Sequence, residues 1–265
     1  MSKPQWHDHR ALVTGASSGI GAAIAVQLAK AGARSVLTGR NAGRLARTAE
    51  RCEGPSGRPE TLAGDLTDPG FRQYLADTTR SVLGGIDLLV NNAGISMNAR
   101  FETLQPDVFR TICEVNFFAA VDITRLLLED LQTSSGRILV LSSLTGVVGT
   151  PTRTAYSASK HALHGFFDAL RIELRHSGVG VTLVCPGYVE TPIRRRALLG
   201  DGNEQGRDQA EGHRMSSAED VAARALDAAW QRRRRLLLGT ETKLARILLL
   251  LAPGLLERIL DRATR

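Results

Sequence analysis

The sequence predicts an α/β fold, a single-domain, three-layer α/β/α sandwich around a doubly wound parallel sheet. Short apolar runs alternate with longer helical stretches along the chain. The apolar runs are nearly continuous, as in strands covered on both faces. Glycine is abundant, 26 of 265 residues, while aromatics make up only 5%, a balance that suits many tight strand-to-helix turns.

Taken in order, strands rich in Leu, Val and Ile are expected at Ala11–Thr14, Ser35–Thr38, Asp87–Val90, Arg137–Leu141 and Gly180–Val184. Thr61–Ala63 is a weaker strand signal, and Leu236–Leu238 reads as a late one. Between them, helices are expected at Ile20–Ala31, Gly43–Cys52, Gly70–Leu83, Asp107–Leu131, Ala155–His176 and Ala218–Gln231. Strand–helix alternation of this kind gives a parallel sheet with right-handed crossovers, the Rossmann-type arrangement. Residues 8–240 form the expected core. Residues 192–217 are polar, lack a clear period and read as a substrate lid. Residues 241–265 form an apolar, basic helical tail.

Composition narrows the function classes. With 43% hydrophobic and 23% charged residues, the chain can bury a full core. Cys52, Cys113 and Cys185 are too few and too far apart for a disulfide framework or a zinc site, so a reducing cytoplasm is the expected compartment. The first ten residues lack an apolar run and read as a solvated arm, not a secretory signal. His7, Asp8 and His9 have no accompanying ligand cluster, and no metal is expected. The net charge is +7, but residues 231–265 alone hold nine Lys/Arg against three Asp/Glu. The remaining chain is nearly neutral, which argues against nucleic acid as a partner.

The first strand runs directly into Gly15-Ala-Ser17-Ser18-Gly19-Ile20-Gly21 and then a helix. In that context glycines let the backbone turn sharply and approach a pyrophosphate, and the helix N-terminus offers free N–H groups and partial positive charge. The second strand ends at Arg40, about 20 residues on. There an acidic residue would bind the 2′-hydroxyl of NAD, whereas arginine fits a 2′-phosphate. The pair predicts NADP(H).

These motifs, with four others in order, resemble those of the short-chain dehydrogenase/reductase family over residues 10 to about 240. Thr14–Gly21 is similar to the family's TGxxxGxG turn, and Asn91-Asn92-Ala93-Gly94 to its NNAG segment. Asn116 falls where the family keeps a catalytic asparagine. Ser143, Tyr156 and Lys160 match its Ser…Tyr-x-x-x-Lys pattern, and Pro186–Thr191 its PG-x-V-x-T segment. The resemblance implies that Asp65 and Leu66 flank the adenine and that Asn92, Ala93 and Gly94 line the cofactor groove. It assigns Val189 and Thr191 to the nicotinamide carboxamide, with Pro186 and Gly187 beside them. It also implies a homodimer or homotetramer. Ser142 competes for the serine role, but the family spacing, 13 residues before the tyrosine, selects Ser143.

The chemistry follows from spacing. Tyr156 and Lys160 are four apart on a helix and share a face. A phenol titrates near 10. An ammonium at about 4 Å, in an effective dielectric near 20, supplies roughly 4 kcal/mol, or on the order of three pKa units. Tyr156 is the expected general acid/base, and Lys160 its electrostatic partner and a ligand of the nicotinamide ribose. Ser143 is expected to stabilise the substrate oxygen, and Asn116 to anchor a water relaying protons to Lys160. His161 and His164 read as helix residues at other angles, and Cys185 as packing.

In the tail, Leu244, Ile247, Leu248, Leu251, Leu255, Leu256, Ile259 and Leu260 recur at helical spacing, with a bend expected at Pro253-Gly254. Its apolar run is too short to span a bilayer. Packing on the body or on a sister subunit competes with peripheral membrane contact. The tail also resembles those of family members that act on apolar carbonyls or alcohols. The alternative readings are a 3-oxoacyl-carrier-protein reductase and a non-catalytic NADPH sensor.

Overall fold

The computed structural model describes residues 5–207 and 215–262. Seven parallel strands form one sheet in the order β3-β2-β1-β4-β5-β6-β7. They are β1 (Arg10–Thr14), β2 (Arg34–Gly39), β3 (Glu60–Ala63), β4 (Leu88–Asn91), β5 (Arg137–Leu141), β6 (Gly180–Cys185) and β7 (Arg235–Leu237). Each expected strand is present to within a residue or two. The strand order reverses between β1 and β4, and the crevice at the carboxyl ends there is the binding position of such sheets.

Helices α1 (Gly19–Lys30), α2 (Ala42–Glu50) and α3 (Pro69–Leu83) follow the first three strands. Local chemistry sets their starts. Asn41 accepts a hydrogen bond from the Arg44 N–H, and Asp68 accepts from the Gly70 N–H just before Pro69 enters the first turn. Gly84, in the left-handed region at φ 74°, ends α3.

The single helix expected over Asp107–Leu131 is not continuous. It divides into α4 (Pro106–Cys113), a π-helical turn at Glu114–Phe118, α5 (Ala119–Leu126) and α6 (Leu128–Thr133). A buried arginine holds the irregular turn in place. Arg72 of α3 pairs with Glu114 at 2.8 Å and with Asp122 at 2.9 Å, so the turn is fixed by a charge on another element. The later helices are α7 (Thr154–Glu173), α8 (Ala218–Trp230), α9 (Thr240–Leu251) and α10 (Pro253–Arg262). The bend between the last two falls at Pro253, as expected.

Two apolar clusters cover the two faces of the sheet. One packs Ile24 and Leu28 of α1 and Val221 and Leu226 of α8 against β1, β4 and β6. The other packs Leu75 of α3, Ile123 of α5 and Phe167 of α7 against the opposite face. The amino-terminal arm closes the first cluster. Trp6 meets Trp230 edge-on at 5.2 Å, with His9 5.5 Å from each ring, and the Arg137 guanidinium lies 4.7 Å from the Trp230 ring centre.

Candidate active site

The crevice beyond β1 and β4 opens into a cavity of about 550 Å³. One end is the glycine turn. Gly15 and Gly19 have φ of 65° and 56°, a backbone that side chains other than glycine rarely adopt. Thr14 and Asn92 brace the turn. The Thr14 hydroxyl donates to the Val90 carbonyl and accepts from the Asn92 and Ala93 N–H groups. The Asn92 amide donates to the Thr14 and Gly15 carbonyls at 3.0 and 3.1 Å. Ser18 caps α1 without a side-chain bond to its first turn, which leaves the helix N–H groups directed at the cavity. That is the donor set a pyrophosphate needs, so the turn fits a dinucleotide.

Ser17, Arg40, Asn41, Arg44, Asp65 and Leu66 line the same end. Arg196 reaches it from the segment after β6. Its guanidinium is pushed below the ordinary arginine range, first by burial and then by the nearby Arg44, with Glu204 opposing. None of the Arg40, Arg44 and Arg196 guanidinium groups has an ion pair among the described residues, and the Arg44 Nε is buried without a partner. Three positive groups therefore face one end of the cavity, with Glu204 as the acidic group felt by Arg196.

Ser143, Tyr156 and Lys160 line the other end, with Pro186, Gly187, Val189 and Thr191. Ser143 stands just past β5. Its hydroxyl accepts from the Thr145 N–H and stands close enough to the Tyr156 phenol to favour its ionised form. Burial pushes the Tyr156 phenol up, while Ser143 and Arg153 pull it back. Lys160 is held from behind. The ammonium donates to the Leu141 carbonyl at 2.8 Å and lies 5.8 Å from the Tyr156 ring centre. Burial lowers Lys160 itself to about 8. For the Tyr156 phenol, burial penalises the phenolate more than Ser143 and Arg153 repay.

Two sequence-predicted residues stand behind the cavity wall. Gly21 packs under the turn, where a Cβ would lie 2.3 Å from Asn92 Nδ2 and 2.4 Å from the Gly15 oxygen. It shapes the turn and is not a lining residue. Asn116 sits in the π-helical turn and is buried. Its Oδ1 accepts from the Ile95 N–H, and its amide donates to the Ile95 carbonyl and the Ser159 hydroxyl. The side chain ties the Gly94–Ile95 backbone to α7. The remaining sequence-predicted residues, Gly15, Ser17, Ser18, Gly19, Ile20, Arg40, Asp65, Leu66, Asn92, Ala93 and Gly94 among them, share the one cavity. Sequence reasoning missed Arg44, Ile193, Arg194, Arg196 and Leu198 as lining residues. Four of these lie in the expected 192–217 lid, which has no periodic signal; residues 208–214 of that lid lie outside the described residues.

His164 is more engaged than a surface helix residue. Its Nε2 meets the Ser142 hydroxyl at 2.8 Å and the Cys185 sulfur at 3.6 Å. Burial lowers it to about 4, and it stays neutral.

Comparison with known proteins agrees with this arrangement. Residues 9–200 match the family model described as short chain dehydrogenase. The chain belongs to the short-chain dehydrogenase/reductase family. It is 36% identical over 260 residues to the dehydrogenase/reductase SDR family member 7B of Mus musculus, covering 96% of this chain and 80% of that protein. Among solved structures, a dehydrogenase/reductase from Sinorhizobium meliloti 1021 is 32% identical with a TM-score of 0.77, covering 89% of this chain and 95% of that one. A family member from Burkholderia phymatum, solved in complex with NAD, is 26% identical with a TM-score of 0.77, covering 89% of this chain and 90% of that one. As a member of the family the protein is an oxidoreductase that acts on a small molecule with a nicotinamide cofactor.

Proposed function

We propose that the protein is an NADP(H)-dependent oxidoreductase that interconverts a carbonyl and a secondary alcohol on an apolar substrate, with Tyr156 as the proton donor and acceptor. The observation that carries the reading is one cavity with Arg40, Arg44 and Arg196, none in an ion pair among the described residues, at one end and Ser143 beside Tyr156 at the other. A 2′-phosphate answers the first group, and the oxygen of a carbonyl answers the second. Ile95, Val189, Ile193 and Leu198 supply apolar wall, which favours an apolar substrate.

The bound nicotinamide would give or take the hydride. The protein's own part is positional and protic. The Ser143 hydroxyl holds the substrate oxygen against the Tyr156 phenol. Because burial keeps that phenol protonated, it is in the form that donates a proton during reduction. Lys160, held by the Leu141 carbonyl, brings a positive charge beneath the ribose position. Asn116 fixes Gly94 and Ile95 so that this floor does not shift.

The test is a paired titration of NADPH and NADH into wild-type protein and Tyr156→Phe. Preferential NADPH binding by both proteins, with turnover of apolar ketones lost about 10²- to 10⁴-fold in the variant, is the expected result. Equal binding of NADPH and NADH overturns the cofactor assignment. Unchanged turnover in the variant overturns the role of Tyr156.

A further inference from the structure

The described residues carry twelve exposed large hydrophobic side chains, and seven of them lie on α9 and α10: Leu244, Ile247, Leu249, Leu250, Leu251, Leu255 and Ile259. The inner faces of the two helices are already satisfied. Ala245 and Leu248 of α9 and Leu256 and Leu260 of α10 close on Val147, Val148 and Cys185. The outer leucines are therefore surplus to the packing of the body.

Their arrangement is specific. Exposure peaks at the bend, 72% for Leu250 and 80% for Leu251. Residues 247–256, Ile-Leu-Leu-Leu-Leu-Ala-Pro-Gly-Leu-Leu, contain no charge. Exposed Lys243 and Arg246 flank this tip on one arm, and Arg258 and Arg262 on the other, with Glu257 and Asp261 on the second arm. A protruding apolar tip with cations set back on both sides suits a soft, anionic surface. No helix among the described residues is long and apolar enough to cross a membrane, so the tip can enter only the interface.

We infer that the α9–α10 bend is a docking site for an anionic lipid bilayer, with Leu250, Leu251 and Leu255 entering the acyl boundary and Lys243, Arg246 and Arg258 meeting the headgroups. The same helices pack on Leu144, Val147 and Val148, the loop directly after Ser143. Docking thus holds the substrate side of the cavity near the lipid. The docking itself does not depend on the identity of the substrate or cofactor.

The experiment is co-flotation of the full chain with vesicles of phosphatidylcholine alone and of phosphatidylcholine mixed with phosphatidylglycerol. Wild type, Leu250→Asp, Leu251→Asp and Lys243→Glu/Arg246→Glu are compared, with the oligomeric state measured without lipid. The expected result is binding to the mixed vesicles that weakens about tenfold for each leucine replaced, and that falls with salt and with charge reversal. In addition, Leu251→Trp should show a blue-shifted emission increment on the mixed vesicles. These positions are exposed, so the variants should keep wild-type circular dichroism and cofactor binding. Absence of binding to the mixed vesicles, or a dimer that Leu250→Asp or Leu251→Asp dissociates, overturns the inference. The second outcome would assign the face to a copy of the same chain.

Discussion

Replacing Lys160 by methionine should change how stability depends on pH. In the folded protein burial lowers Lys160 from 10.5 to about 8. The unfolded chain therefore binds this proton more tightly, and stability rises as pH climbs from about 8 towards 10.5. The gap corresponds to about 3 kcal/mol of cost below pH 8. The methionine variant lacks that cost. It also loses the hydrogen bond to the Leu141 carbonyl, an offset of about 1–3 kcal/mol that does not vary with pH. Whatever the offset at any one pH, the wild type should gain about 2 kcal/mol on the variant between about pH 7 and pH 9.5. The Cys185 thiol, raised to about 12 when folded from 9.0, loses its proton inside this window only in the unfolded chain, and it does so in both proteins, so it drops out of the difference. Urea unfolding followed by circular dichroism at a series of pH values measures the difference. Parallel curves for the two proteins would refute the reasoning, because they would mean that Lys160 titrates alike folded and unfolded.

Arg40→Ala and Arg196→Ala should each weaken NADPH binding about tenfold, the value of one charge-assisted contact, and leave NADH binding unchanged; calorimetric titration with both cofactors reads this. Gly21→Ala should abolish binding of either cofactor and lower the melting temperature, since its Cβ would overlap Asn92 Nδ2 and the Gly15 oxygen. Thermal unfolding and cofactor titration of that variant check both effects. Asn116→Ala should destabilise the fold by about 1–3 kcal/mol, because it removes the partner of the half-buried Ile95 N–H and carbonyl. Denaturant unfolding at neutral pH measures that loss.

The sheet was readable because both-face burial leaves an apolar run at each strand, and even the three-residue β7 shows as a leucine run. The turn and the Ser143–Tyr156–Lys160 set were readable because their chemistry is local in sequence. Features that depend on partners from distant elements were not. The π-helical turn at Glu114–Phe118 needs Arg72 of α3 and the Ile95 backbone, and no periodicity carries that information. Arg196 joins Arg40 and Arg44 only through the fold of an aperiodic segment. Helical spacing likewise places Lys160 on the face of Tyr156 but says nothing of the Leu141 carbonyl that holds its ammonium.

The chain has two tryptophans, and both stand in the cage formed with His9 and Arg137. β1 separates this cage from the glycine turn by about 16 Å, the length of five extended residues. Indole emission is therefore an optical gauge of one edge of the molecule. It should move to the red when the amino-terminal arm lifts away from α8, even while the opposite edge still grips its ligands. Early peeling of the arm and global melting would then appear as separate spectral events.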